Sequence, residues 1–89
     1  MDLEKRIKTA VKENKALFGY REVLKKLKMS KELEMIILAK NTPENIKRDL
    51  ELNAKLAGVE VQIFEGNGVE LGNLCGKPFA VTVIGIKKG

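Results

Sequence analysis

The stretch Glu34 to Lys40, EMIILAK, carries an unbroken apolar run from Met35 to Ala39. A run of this length suits a strand better than a helix. Successive strand residues point to opposite faces, so an unbroken apolar run needs cover on both sides. Whatever fold this chain adopts must therefore place layers above and below a central strand.

The flanking segments can supply those layers. DLEKRIKTAVKEN spaces Leu3, Ile7, Ala10 and Val11 along one helical stripe. ALF reaches Gly19 and leaves room only for a short strand. YREVLKKLKM puts Val23, Leu24 and Leu27 on one face and Arg21, Lys25 and Lys28 on the others. NTPENIKRDLELNAKLAG predicts a helix with Thr42 as N-cap, Pro43 in the first position and Gly58 after the last turn. Ile46, Leu50, Ala54 and Ala57 mark its buried side. VEVQIF is rich in β-branched residues and reads as a strand. Asn67 and Glu70 form a capping-box variant ahead of a short helix with Leu71, Leu74 and Cys75 inside and Gly76 at its end. FAVTVIGI, from Phe79, reads as the last strand. This alternation implies an α/β fold, a three-layer α/β/α sandwich with a central four-stranded mixed sheet and helices on both faces.

Eighty-nine residues suit one domain spanning 1–89. No apolar run reaches the roughly 18 residues that a membrane span needs, so no membrane partner is expected. The start, MDLEKRIKTA, lacks the apolar core of a signal peptide. One cysteine and no histidine leave no internal disulfide and no metal-ligand cluster, and suit a reducing, intracellular compartment. The net charge of +5 is uneven: residues 1–30 carry 9 basic and 4 acidic side chains, while residues 31–89 carry 8 of each. A localised basic surface concentrates polyanions, although a solvated lysine-rich helix face would have the same composition.

Catalysis finds little support. General acid–base work most often uses histidine, which is absent. Cys75 lies on the apolar face of its helix and reads as core. The glycines of EGNGVELG lack both the dinucleotide and the P-loop patterns, and suit a tight turn with an N-cap. No cofactor is expected.

Three places suit a polyanion, each with an ordinary alternative. In GYREVLKK, Gly19 would let a foreign backbone approach a helix N-terminus. Arg21 could grip a guanine edge, with Lys25 one turn further along. The alternative is a plain amphipathic helix. Asn41, at a strand's carboxyl end, lies where binding residues collect in α/β sheets, yet asparagine is common in turns. In LCGKPFAV, Pro78 has no N–H and belongs at a strand's start. Phe79 is then either the first core residue of that strand or a surface ring beside Lys77 on which a base could stack.

Together, LFGYREVLKKLK, IILAKNTP and VELGNLCGKPFAV cover much of the chain and carry a resemblance. The sequence resembles the archaeal/eukaryotic-type large-subunit ribosomal protein thirty family, part of the wider superfamily of small kink-turn RNA-binding proteins. The resemblance implies an α/β/α sandwich and a kinked internal loop of ribosomal RNA as ligand. It further implies neighbouring ribosomal proteins as partners, a cytoplasmic ribosome as location, and a monomer outside it. Gly19, Tyr20 and Arg21 match the turn that packs into the kinked groove. Asn41 matches the asparagine that reads a base edge, and Phe79 and Val81 match residues that cover extruded bases. Lys25, Gly76 and Lys77 flank these toward phosphates, and Glu22 and Pro78 complete the expected RNA-binding set. Sister branches on guide RNAs carry asparagine where this chain has Arg21, although Glu22 and Lys25 match them too. A guide-RNA particle is thus the neighbouring alternative, and a protein–protein adaptor the more distant one.

Overall fold

The computed structural model describes residues 3–29 and 32–88. Asp2, with which the first expected helix begins, lies outside them, as does Ser30. Helices and strands alternate in the order α1 (Leu3–Lys12), β1 (Ala16–Phe18), α2 (Tyr20–Met29), β2 (Leu33–Ala39), α3 (Glu44–Ala57), β3 (Glu60–Phe64), α4 (Gly68–Leu74) and β4 (Val83–Lys87). The sheet order is β1-β4-β2-β3. β2 and β3 pair in parallel, and β4 pairs antiparallel with both β1 and β2. β1, β2 and β3 therefore run in one direction, and β4 alone runs back.

The demand made by the apolar run is met as expected. Along β2, Ile37 and Ala39 enter one core with Ile7 and Ala10 of α1 and Leu71 of α4. Ile36 and Leu38 enter the other, with Val23 and Leu27 of α2 and Leu50 and Ala54 of α3. Ile36, Ile37 and Leu38 are wholly buried, and burial of each such side chain contributes about 1.5–3 kcal/mol. The three-layer sandwich with its mixed four-stranded sheet is the observed architecture.

Two local expectations are corrected. Thr42 is not the N-cap of α3. Pro43 takes that position, without a side-chain hydrogen bond, while Gly58 closes the helix in the left-handed conformation (φ 72°) as expected. The buried Thr42 hydroxyl turns back instead, donating to the Ala39 carbonyl at 2.7 Å and lying 3.2 Å from that of Thr82. It pins the end of β2 to the segment entering β4.

That segment is the second correction, because β4 begins at Val83 rather than Phe79. Residues 77–81 send backbone donors to α4 instead of to a strand: Lys77 N–H reaches the Gly72 carbonyl at 2.9 Å, and Val81 N–H reaches that of Gly68 at 2.9 Å. The two glycines stand four apart on one face of α4 and let this segment lie against the helix. A β-carbon on Gly72 would stand 2.1 Å from the Phe79 carbonyl oxygen, and one on Gly68 would stand 3.0 Å from the Thr82 methyl. Gly68 and Gly72 thus serve close packing, while Gly66 lies in the expected turn ahead of the N-cap. Asn67 does close its capping box with Glu70, in both directions.

Gly72→Ala forces backbone apart from backbone. It should lower unfolding free energy by about 1–3 kcal/mol, read as a fall in denaturant midpoint at unchanged slope.

Candidate nucleic-acid interface

Parallel β1, β2 and β3 end on the same side of the sheet, at Phe18, Ala39 and Phe64. Phe18 pairs with Ile84, Leu38 with Val83 and Ala39 with Phe64, so β4 begins where the other three stop. α2, α3 and α4 set out from this rim. Their first-turn N–H groups give it a partial positive charge that favours anions.

Hydrogen bonds tie the rim segments to one another. Gly19 N–H donates to the Val83 carbonyl at 3.0 Å, Ala39 N–H to that of Thr82 at 2.8 Å and Lys40 N–H to that of Gly66 at 2.9 Å. Gly68 N–H donates to Asn41 Oδ1 at 3.0 Å. This last bond sets the orientation of Asn41. With Oδ1 engaged, its Nδ2 hydrogens have no partner among the described residues and face outward as donors.

Gly19 adopts φ 101°, a left-handed conformation that side chains resist. Nothing lies within 4 Å of where its β-carbon would stand, so the approach is open. Arg21, exposed, follows in the first turn of α2. Glu22 and Lys25 are exposed as well, and line the outer flank of α2 with Lys26 and Met29. Tyr20 is half-buried, and its hydroxyl donates to Asp49 Oδ2 on α3. That hydrogen bond, with burial second, raises the phenol's pKa above its ordinary value.

The loop beyond α4 answers the question that Phe79 posed. Gly76 is left-handed (φ 73°), and Pro78 is exposed in a bend. Phe79 is 59% exposed, so it is a surface ring and not the first core residue of a strand. The Lys77 ammonium lies 4.7 Å from the centroid of the Phe18 ring, a cation–π contact that draws this loop toward Gly19. Val81 behaves differently. It is 5% exposed and packs in the core with Leu71 and Ile84, so its side chain has almost no surface left for a base. Its work is to anchor the strand entry two residues after Phe79.

Gly19, Asn41 and the loop from Gly76 to Phe79 thus share one rim, with Arg21 at its edge and Glu22 and Lys25 down one flank. Sequence reasoning missed Phe18, Lys40, Thr42, Asp49 and Gly68 as parts of this arrangement. The paired glycines of GVELG were the available signal for Gly68. Nothing local marks the link from Tyr20 to Asp49, which lie 29 residues apart.

Among the described residues no cluster of histidine, cysteine, aspartate or glutamate could hold a metal ion. Cys75 is buried as expected, and burial pushes its thiol pKa up, away from the thiolate that a nucleophile requires. A hollow of about 430 Å³ lined by Leu3, Arg6, Glu34, Met35, Glu60 and Gln62 shares no residue with the rim.

Residues 1–89 match the model of the Ribosomal protein L7Ae/L30e/S12e/Gadd45 family. The chain belongs to this family. Within it, the chain is 42% identical over 88 residues to large ribosomal subunit protein eL30 of Methanosphaera stadtmanae, covering 99% of this chain and 89% of the relative. It is 40% identical over 81 residues to the eL30 of Methanothermobacter thermautotrophicus, covering 91% of this chain and 82% of that one. Among solved structures it superposes on the Giardia lamblia 15.5kD RNA binding protein with a TM-score of 0.86 and 26% identity, over 98% of this chain and 72% of that one. The sandwich is thus shared with that protein while most of the sequence differs.

Phe79 and Val81, two residues apart, should respond oppositely to truncation. Phe79→Ala should leave the thermal midpoint nearly unchanged, whereas Val81→Ala should lose about 2 kcal/mol in denaturant unfolding.

Proposed function

We propose that this chain is a structural, non-catalytic constituent of the large ribosomal subunit that binds a kinked internal loop of ribosomal RNA through the rim described above. On this reading it works on the cytoplasmic ribosome, among neighbouring ribosomal proteins, and is a monomer outside it. The observation that carries the reading is the exposed Phe79 ring on the same rim as an outward-facing Asn41 amide and an open, left-handed Gly19.

The chemistry follows from the RNA. A regular RNA helix hides its base edges in a deep, narrow groove, whereas a kink opens that groove and unstacks bases. An extruded base stacks on Phe79, an interaction worth about 1–3 kcal/mol. Asn41 Nδ2 donates to an acceptor on a base edge. Arg21 grips a guanine through its two acceptors. Gly19 admits the RNA backbone where any side chain would obstruct it. Lys77, Lys25 and Lys40 take phosphates, and Pro78 and Gly76 hold the loop's shape.

The test compares wild-type affinity for a kinked ribosomal internal loop, a guide-RNA kink-turn and a regular duplex across a range of salt. The ribosomal loop should bind tightest. Phe79→Ala should weaken it by about 1–3 kcal/mol. Arg21→Ala should cost about 1–3 kcal/mol and relax discrimination at one guanine. Lys77→Ala should flatten the log–log salt dependence by about 0.7–0.9 without changing preference. Tighter binding of the guide-RNA loop would transfer the protein to another particle. Binding that ignores salt would point to a protein interface instead.

A further inference from the structure

We propose that Tyr20 and Asp49 form a positioning pair that sets the α2 N-terminus for RNA recognition, and that Tyr20 does this from behind the interface. The inference rests on the function proposed above.

The geometry is specific. Tyr20 is the first residue of α2, between the left-handed Gly19 and Arg21. Gly19 is fixed on one side by its N–H on Val83. On the other side the Tyr20 hydroxyl donates to Asp49 Oδ2 of α3. Asp49 is itself held, because Asn53 Nδ2 donates to its Oδ1 at 3.2 Å and to its backbone carbonyl at 2.8 Å. Leu50, next to it, is wholly buried and fixes α3 against the sheet. The chain from α3 to Arg21 is therefore continuous: Leu50 seats the helix, Asn53 orients the carboxylate, and the carboxylate holds the tyrosine that begins α2. With its hydroxyl turned toward α3, Tyr20 acts on RNA through the placement of Gly19 and Arg21.

Electrostatics provides the discriminating readout. A carboxylate near a polyanion site repels the ligand, so its removal alone should tighten binding. A positioning carboxylate does the reverse. Asp49→Ala should weaken binding to the kinked ribosomal loop by about three- to tenfold although it removes a negative charge. Asp49→Asn keeps one oxygen to accept the tyrosine's proton, with Asn53 retained by the backbone carbonyl alone, and loses the charge, so it should bind more tightly than Asp49→Ala. Tyr20→Phe should match Asp49→Ala, and the two together should be no worse than either alone. Salt dependence should be the same in all variants, because no phosphate contact is lost.

Amide exchange of the free protein supplies a second measure. Val23 N–H, which closes the first turn of α2 on the Gly19 carbonyl at 3.2 Å, should exchange faster in Tyr20→Phe and in Asp49→Ala but not in Asp49→Asn. Tighter binding by Asp49→Ala, unchanged affinity in Tyr20→Phe, or additive losses in the double variant would each overturn the pair. If wild type does not bind the kinked loop, the proposed function fails. Val23 exchange then decides the pair: faster exchange in the two disrupting variants sustains it, and unchanged exchange overturns it.

Discussion

The structure depends on the insertion of β4, last in the chain, between β1 and β2. No direct pairing joins β1 to β2, and β4 hydrogen-bonds to both. Its direction matters as much as its place. Because it alone runs antiparallel, it starts at the rim where the other three strands stop, and it delivers the loop before it to that rim. Its core side chains Val83, Ile84 and Ile86 divide between the two apolar layers. At Gly85 a β-carbon would come within 3.0 Å of Val23 and 3.1 Å of Leu33, so α2 can lie close over it. Pairing Ala16 with Ile86 spans most of the chain, a long-range contact that carries a large loop-closure cost. A finished rim therefore requires a finished fold.

On that rim the polar groups divide into those that build it and those left over for a ligand. Thr42 spends its hydroxyl on strand-end carbonyls, and Asn41 spends its oxygen on Gly68. Tyr20 turns its hydroxyl to Asp49. What remains outward, Glu22 on the flank apart, is the Asn41 amide nitrogen, the Arg21 and Lys77 cations and the first-turn N–H groups of α2 and α3, all of them donors or positive. An arrangement that satisfies its acceptors internally and presents donors outward selects for acceptor-rich, negatively charged partners. Composition hints at this through a net charge of +5, but the selection comes from orientation.

The fold was legible because its signals were local. The unbroken run in β2 required two covering layers, and the apolar stripes of the helices supplied them. The rim was legible only in part. Gly19, Asn41 and Phe79 each carried an ambiguous local signal, and resemblance joined them before geometry did. The reading of FAVTVIGI as one strand misled at residues 79–82, because it treats a strand as continuing wherever apolar residues do. It cannot see that the donors of Lys77 and Val81 are claimed by Gly72 and Gly68. Thr42 misled for a similar reason. A cap needs its hydroxyl oxygen placed to accept from the helix's first N–H groups, and here the hydroxyl is drawn instead to the strand-end carbonyls. Resemblance grouped Val81 with Phe79 as cover for extruded bases, although opposite burial separates them.

The exposure of Phe79 follows from backbone constraints on both sides of it. Upstream, left-handed Gly76 reverses the chain, Lys77 N–H is held by Gly72, and Pro78 fixes one torsion and offers no donor. Downstream, Val81 is buried and its N–H is held by Gly68. Gly72 admits the Phe79 carbonyl to within a distance that any β-carbon would forbid, which presses the backbone of that residue against α4. Backbone thus held at three points leaves the ring outside the core, where burial would otherwise have favoured it by a few kcal/mol. In the proposed binding mode the backbone beneath the ring gives up little further freedom when a base arrives. That part of the ordering entropy was lost during folding, so more of the stacking energy is available for binding. In that proposed mode the glycines of α4, far from being incidental spacers, are what convert an ordinary phenylalanine into a platform.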